Sequence, residues 1–263
     1  MRFTILASGS KANCIYIRGD NDALMLDAGL TLREASRRLA LAGGDTSILR
    51  AILLTHEHAD HIRGSGPLSR KFSLPVFGTP GTLEWFLQGR CASGVPQLQG
   101  CSIGERYTVG DFTIEPFATS HDAREPCGYR ITEDGATLCY CTDTGRASPT
   151  LLDSIRGCDA LVLESNHCPH MLRTGPYPEM LKRRIRSVKG HLSNQDARDC
   201  IRAVGGDIPV LVLAHLSEVN NTREKAMASA LEGLGLGRFD DTKQLYAIPG
   251  GDHCDCWMHW MEI

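Results

Sequence analysis

The sequence predicts a layered α/β protein in which two packed sheets are covered by helices. Three observations predict this. Short apolar runs of strand length recur through the 263 residues. Stretches with helical periodicity fall between them at intervals. Residues able to bind metals stand just past the ends of several apolar runs. With 42% apolar residues the chain can bury a sizeable core, and its length fits one large domain or two small ones.

Residues 3–7, 14–17, 24–26 and 51–54 read as the first strands. Thr31 and Glu34 have the spacing of a capping box, ahead of a helix whose Leu32, Ala35 and Leu39 share one face. Residues 75–77 suit a short strand and 82–88 a helix, whereas 89–104 is rich in turn formers. Strands are expected at 112–117, 128–132, 138–141 and 160–164. A helix follows over 195–204, with Ala197, Cys200, Ile201 and Val204 on one face and Ser193 as its N-cap. A strand at 209–214, a helix over about 222–234 and a strand at 244–248 complete the series.

No run approaches the about 18 apolar residues of a membrane span, and the first residues lack the long apolar segment and small-residue cleavage site of a signal peptide. A cytoplasmic protein without membrane contact is expected. The eleven cysteines are odd in number and scattered. Cys139, Cys141, Cys158 and Cys200 sit in apolar runs and suit buried, reduced thiols. A net charge of -3 gives no global basic signal, so a polyanionic substrate must be gripped locally.

The densest chemistry lies at His56-Glu57-His58-Ala59-Asp60-His61, directly after the apolar run 51–54. His56 and His58, two apart at a strand end, point to one side. Asp60 and His61 then begin a turn and can reach a second ion. Imidazole with carboxylate suits Zn²⁺, Mn²⁺ or Fe²⁺. The alternative is a polar loop, which the scarcity of histidine, ten in the whole chain, argues against. One cluster cannot close two sites. His121, Asp143 and His215 are each the first strong ligand after another apolar run, and such strand ends converge on one edge of a layered α/β protein.

The ordered series His56, His58, Asp60, His61, His121, Asp143 and His215 resembles the motifs of the metallo-β-lactamase fold hydrolases, over nearly the whole chain. The resemblance implies an αββα four-layer sandwich formed by residues 1–263 as a single domain. It also implies two divalent ions: His56, His58 and His121 on one, Asp60, His61 and His215 on the other, and Asp143 bridging them. An aspartate bridge is similar to the nuclease, lactonase and glyoxalase branches rather than to the lactamases.

Further segments resemble the WalJ/YycJ-type group, related to phosphodiesterases and nucleases: Ser8-Gly9-Ser10-Lys11-Ala12-Asn13, Glu164-Ser165-Asn166-His167, Gly190-His191-Leu192-Ser193, and His215-Leu216-Ser217-Glu218. Gly190-His191-Leu192-Ser193 is also similar to a motif of transfer-RNA 3′-processing nucleases, in which a glutamate pairs with the histidine. Glu164 is the matching candidate here. The short span from Glu164 to His191 leaves no room for the inserted domain of the larger nucleases.

The expected activity is a dinuclear metal-dependent phosphodiesterase, an exonuclease-type enzyme acting on DNA or RNA. Asp60, His191 and Glu164 are its catalytic candidates, with His191 as general acid. A small-molecule hydrolase of cyclic phosphodiesters, lactones or thioesters is the alternative. Ser8, Ser10, Asn13, Ser193 and His167 are candidate phosphate contacts. For the loop residues an ordinary tight turn serves equally, and His167 could simply line the pocket rim. Lys182, Arg183, Arg184 and Arg186 form a local basic run that suits a nucleic-acid backbone or a solvated helix face. The tail 252–259 holds aspartate, histidine and cysteine without a paired C-x₂-C pattern.

Overall fold

Strands buried on both faces read as continuous apolar runs rather than alternating ones, and the apolar runs of this chain form such strands. A computed structural model describes residues 1–88, 93–205, 208–236, 244–250 and 259–263. One seven-stranded sheet has the order β14 (Met261–Glu262), β1 (Arg2–Ala7), β2 (Cys14–Arg18), β3 (Ala23–Leu26), β4 (Leu49–Leu53), β5 (Val76–Gly78) and β6 (Leu98–Gly100). The other has the order β13 (Gln244–Ala247), β12 (Val210–Ala214), β11 (Ala160–Glu164), β10 (Ala136–Cys141), β9 (Cys127–Glu133), β8 (Phe112–Ala118) and β7 (Tyr107–Val109). In each sheet antiparallel pairs give way to parallel ones, at β3 in the first and at β10 in the second.

The alternation along each strand divides the core into three layers. Phe3, Ile5, Ile15, Ile17, Leu24, Leu26 and Leu53 meet Phe112, Ile114, Tyr129, Leu138 and Val162 between the sheets. Their neighbours Leu6, Tyr16, Met25 and Ile52 face outward. They pack with Ala35 and Leu39 of α1 (Leu32–Leu41), Leu68 of α3 (Ser65–Phe72) and Phe86 of α4 (Pro80–Gln88). On the far side Cys139, Leu161, Leu163, Leu211 and Leu213 meet Leu151 of α5 (Pro149–Ile155), Ile201 of α8 (Asn194–Ala203) and Ala230 of α9 (Arg223–Gly233). The layers are therefore αββα, as expected. Each fully buried Leu or Ile contributes about 1.5–3 kcal/mol of transfer free energy. Cys139, Cys141, Cys158 and Cys200 are all buried.

Local signals set several ends. Ser193 caps α8 in a complete capping box with Asp196. Thr31 caps α1 by accepting from Glu34 N, but the Glu34 carboxylate turns to Arg37 and Arg38 instead of reaching back, so only half of the expected box forms. The turn-rich stretch 89–104 contains β6, and its first four residues lie outside the described ones. Most of the tail at 252–259 lies outside them too. Among the described residues no helix is long and apolar enough to cross a membrane.

Candidate metal centre

The ends of β3 and β4 from one sheet and of β8, β10, β11 and β12 from the other deliver polar residues to a single edge of the sandwich. His56 and His58 follow β4. Asp60 and His61 lie on α2 (Ala59–Ile62), whose N-cap is His58. His121, Asp143, Glu164 and His215 follow or end β8, β10, β11 and β12. Asp27, Asp143 and His215 all adopt φ 55, a left-handed conformation uncommon outside glycine. It turns the chain sharply at the strand end and holds the side chain over the edge.

The sequence-predicted ligands come together there. Ligand atoms of His56, His58 and His121 lie within 4.8 Å of one another, as do those of Asp60, His61 and His215. Asp143 stands between the two groups. Its Oδ2 is 3.2 Å from His61 Nε2, and its Oδ1 is 3.6 Å from both His121 Nε2 and His215 Nε2.

Hydrogen bonds fix which nitrogen of each ring is free. His61 Nδ1 donates to Asp27 Oδ2 at 2.7 Å, His121 Nδ1 to the Gly190 carbonyl at 3.0 Å, and His215 Nδ1 to Glu164 Oε1 at 3.0 Å. Thr55 Oγ1 gives its one hydrogen to the Asp27 carboxylate, so His56 Nδ1, 3.0 Å away, must donate to it. In all four rings Nε2 is therefore the nitrogen turned toward a cation, the arrangement that outer partners impose on metal-binding histidines. The buried Nε2 atoms of His56 and His215 make no hydrogen bond. The donor set and these unpartnered atoms fit divalent metal ions. Asn13 donates to His61 Nε2 at 2.9 Å and to Asp60 Oδ2 at 3.3 Å, so coordination through His61 requires it to give up that bond.

The electrostatics agree. Burial alone would raise Asp143, but the imidazoles of His215 and His61 outweigh it and hold the carboxyl well below its usual range. Burial drives His56 well down, to the neutral form that binds metal. Burial would also lower His215, yet Asp143, Asp60 and Glu164 lift it to about 10. Protons thus balance the carboxylates where a cation would replace them.

Beside the ligands, His191 Nδ1 donates to Glu164 Oε1 at 2.7 Å. Burial would raise Glu164, but His191 and His215 bring it down to about 2, so it is an anion shared by two rings. His191 retains access to solvent, its side chain 17% exposed. The candidate phosphate contacts divide. Ser8 Oγ accepts from His215 N, Asn13 turns into the ligand cluster, and Ser193 is engaged in its cap. His167 is buried, and burial lowers it to about 4. Ser10 lines an open cavity together with Arg184, His191 and His215. The basic run lies on α7 (Glu179–Ile185) and its C-cap, Arg186. Its Lys182 is buried and donates to the Arg173 carbonyl, Arg183 is exposed, and Arg184 pairs with Asp122 at 2.6 Å.

Asp27, Thr55 and Asp122 belong to this centre but were not anticipated. Asp27 directly follows the apolar run 24–26, the same signal that marks His121 and Asp143. Asp122 sits beside His121, its Oδ1 3.4 Å from His121 Nε2. Asp27→Ala is expected to weaken metal binding about 10–100-fold, the usual loss when a partner behind a ligand histidine is removed. Competition with a fluorescent zinc chelator measures it. Unchanged affinity would confine Asp27 to holding the Thr55 turn.

Residues 23–216 match a family model described as a β-lactamase superfamily domain. A Bacillus anthracis protein called exodeoxyribonuclease YycJ is 40% identical over 243 residues, covering 90% of this chain and 91% of its own. A Streptococcus pneumoniae protein called exodeoxyribonuclease WalJ is 37% identical over 242 residues, covering 90% of each. Among solved structures, the metallo-β-lactamase fold protein YhfI from Bacillus subtilis superposes with a TM-score of 0.74 at 18% identity, over 99% of both chains. Fold, family match and full-length similarity agree, and the chain belongs to the metallo-β-lactamase fold branch of the β-lactamase superfamily, as a relative of YycJ and WalJ.

Proposed function

We propose that this protein is a metal-dependent phosphodiesterase that works in the cytoplasm as an exonuclease on DNA. The observation that carries the reading is a set of histidines whose Nδ1 atoms are each tied to a fixed acceptor while their Nε2 atoms converge about Asp143, with His191 held beside them on Glu164. The two full-length relatives called exodeoxyribonucleases support DNA as the substrate. His56, His58 and His121 would hold one divalent ion, Asp60, His61 and His215 a second, and Asp143 both. Zinc, manganese and iron all suit this donor set. Divalent ions bound there supply an activated water near neutral pH and neutralise the phosphate oxygens.

The protein's own groups do the rest. The Asp60 side chain is 21% exposed and that of Asp143 4%, so Asp60 is the ligand carboxylate open to an entering water and able to accept its hydrogen. His191, as imidazolium, gives its Nε2 proton to the leaving oxygen. Glu164 holds the opposite nitrogen and stabilises the charge. Arg184 faces the same cavity and can meet a phosphate.

End-labelled single- and double-stranded DNA and RNA, assayed with Mn²⁺, Zn²⁺ or Mg²⁺, test this reading. Stepwise shortening of DNA that stops on chelation is expected. Turnover of small cyclic phosphodiesters with no cleavage of any polymer would replace it with the small-molecule alternative. In the same series, binding of an Asp60→Asn variant to labelled DNA is expected to weaken as salt rises, because bound phosphates release counterions. Neutralising Arg183 and Arg184 together should flatten the logarithmic salt slope by roughly one to two. Lys182, buried and paired, should leave it unchanged.

A further inference from the structure

The cavity beside His191 and His215 has a volume of about 260 Å³, below the ~300–1,000 Å³ of drug-sized sites. One part of its lining is polar: Ser10, Asn166, Arg184 and Ser217, with the two histidines. The other part is apolar: Tyr177, Leu181, Ile185 and Leu216. Phosphate chemistry accounts for the polar part and has no use for the apolar one.

Tyr177 is half-buried and stands between Pro176 and Pro178. Proline fixes its own φ and confines the residue before it to extended conformations, so Tyr177 has little backbone freedom. The loop is anchored just ahead. Gly175 N donates to the Met171 carbonyl at 2.7 Å, and a Cβ at Gly175 would lie 2.4 Å from Asn220 Oδ1. Pro178 then caps α7, which carries Leu181, Arg184 and Ile185 into the same cavity. A stiff loop thus sets an aromatic side chain in the lining of the cavity that His191 also lines, before substrate arrives, which lowers the ordering cost of binding.

Resting on the nuclease reading, we propose that Tyr177 is a specificity-determining residue on which the nucleobase of the terminal nucleotide stacks, flanked by Leu181 and Leu216. Arg184 takes an adjoining phosphate and His191 faces the leaving oxygen. One aromatic face takes one base, so the cavity adds a contact to the terminal nucleotide. Stacking tolerates any base, because every base has a π-face, so the selectivity is for the presence of a base rather than for its identity.

The test compares two end-labelled DNA oligonucleotides for each terminus, one with an intact terminal nucleotide and one with a tetrahydrofuran abasic residue in its place. Wild-type enzyme is expected to favour the intact end by about 5- to 150-fold in kcat/KM, the range of base–aromatic stacking. Tyr177→Ala should erase that preference, chiefly by raising KM on the intact end, and Tyr177→Phe should keep it. The preference is a ratio within one preparation, so a partly unfolded variant does not disturb it. A preference that survives Tyr177→Ala, or a wild type indifferent to the abasic end, would overturn the inference while leaving the nuclease reading in place. A wild type that cleaves no polymer at all overturns both.

Discussion

Replacing Asp143 with alanine is expected to release bound metal and remove nearly all phosphodiesterase activity. Asp143 is the carboxylate between the two ligand groups, within 3.6 Å of His61, His121 and His215. The Asp143 carboxylate lies with ligand atoms of both groups, so its loss takes a donor and a negative charge from each. Asp143 also holds φ 55, which asparagine adopts more readily than alanine. Asp143→Asn therefore separates loss of charge from backbone strain, and it should lose metal as well. Elemental analysis of metal per chain, read beside activity, decides the matter. A full complement of metal in both variants would remove the bridging role.

His191→Ala is expected to keep its metal and slow cleavage by about 10²–10⁴-fold, the scale of lost general-acid catalysis. Loss of the ring leaves the Glu164–His215 bond in place, so the ligand set should survive. The deficit should shrink on bis-p-nitrophenyl phosphate, because nitrophenolate leaves without a proton. Equal deficits on poor and good leaving groups would contradict proton donation. Glu164→Ala is a poorer probe, since that one carboxylate holds both His191 and His215.

The long elements were legible in the sequence because their signals are local. The runs at 138–141 and 160–164 stand as β10 and β11 because both faces of each strand are buried, which favours apolar residues at every position but the last of β11, where Glu164 enters the site. The helix after Ser193 carried its cap and its apolar face in the chain itself. Among the short elements β3 and β5 were legible as apolar runs, but others were not. β6 and β7 span three residues each and exist through pairing with β5 and β8, contacts that no local pattern encodes. α5 did carry a signal, Ser148 followed by Pro149, the N-cap and first-turn arrangement that starts a helix. In the site, residues that lie just past apolar runs could be found, and Asp27 obeys the same rule. Arg184 could not be singled out from its charged neighbours. Only folding shows that Lys182 turns inward while Arg184 reaches the cavity.

Two adjacent residues, Gly190 and His191, serve different parts of the chemistry. The Gly190 carbonyl holds His121, and His191, held on Glu164, is the proposed proton donor. Gly190 is also wedged in place, for a Cβ there would meet the Ile185 carbonyl oxygen at 2.2 Å, and one on Gly145 would meet Gly190 N at 2.5 Å. This loop cannot be retuned one property at a time. An engineer who reshapes residues 186–189 to admit a bulkier leaving group will shift the grip on a ligand ring in the same stroke. Selection on new substrates at this loop should therefore yield variants whose demand for added metal rises with their altered preference, and recovering the original demand should require compensating changes near His121.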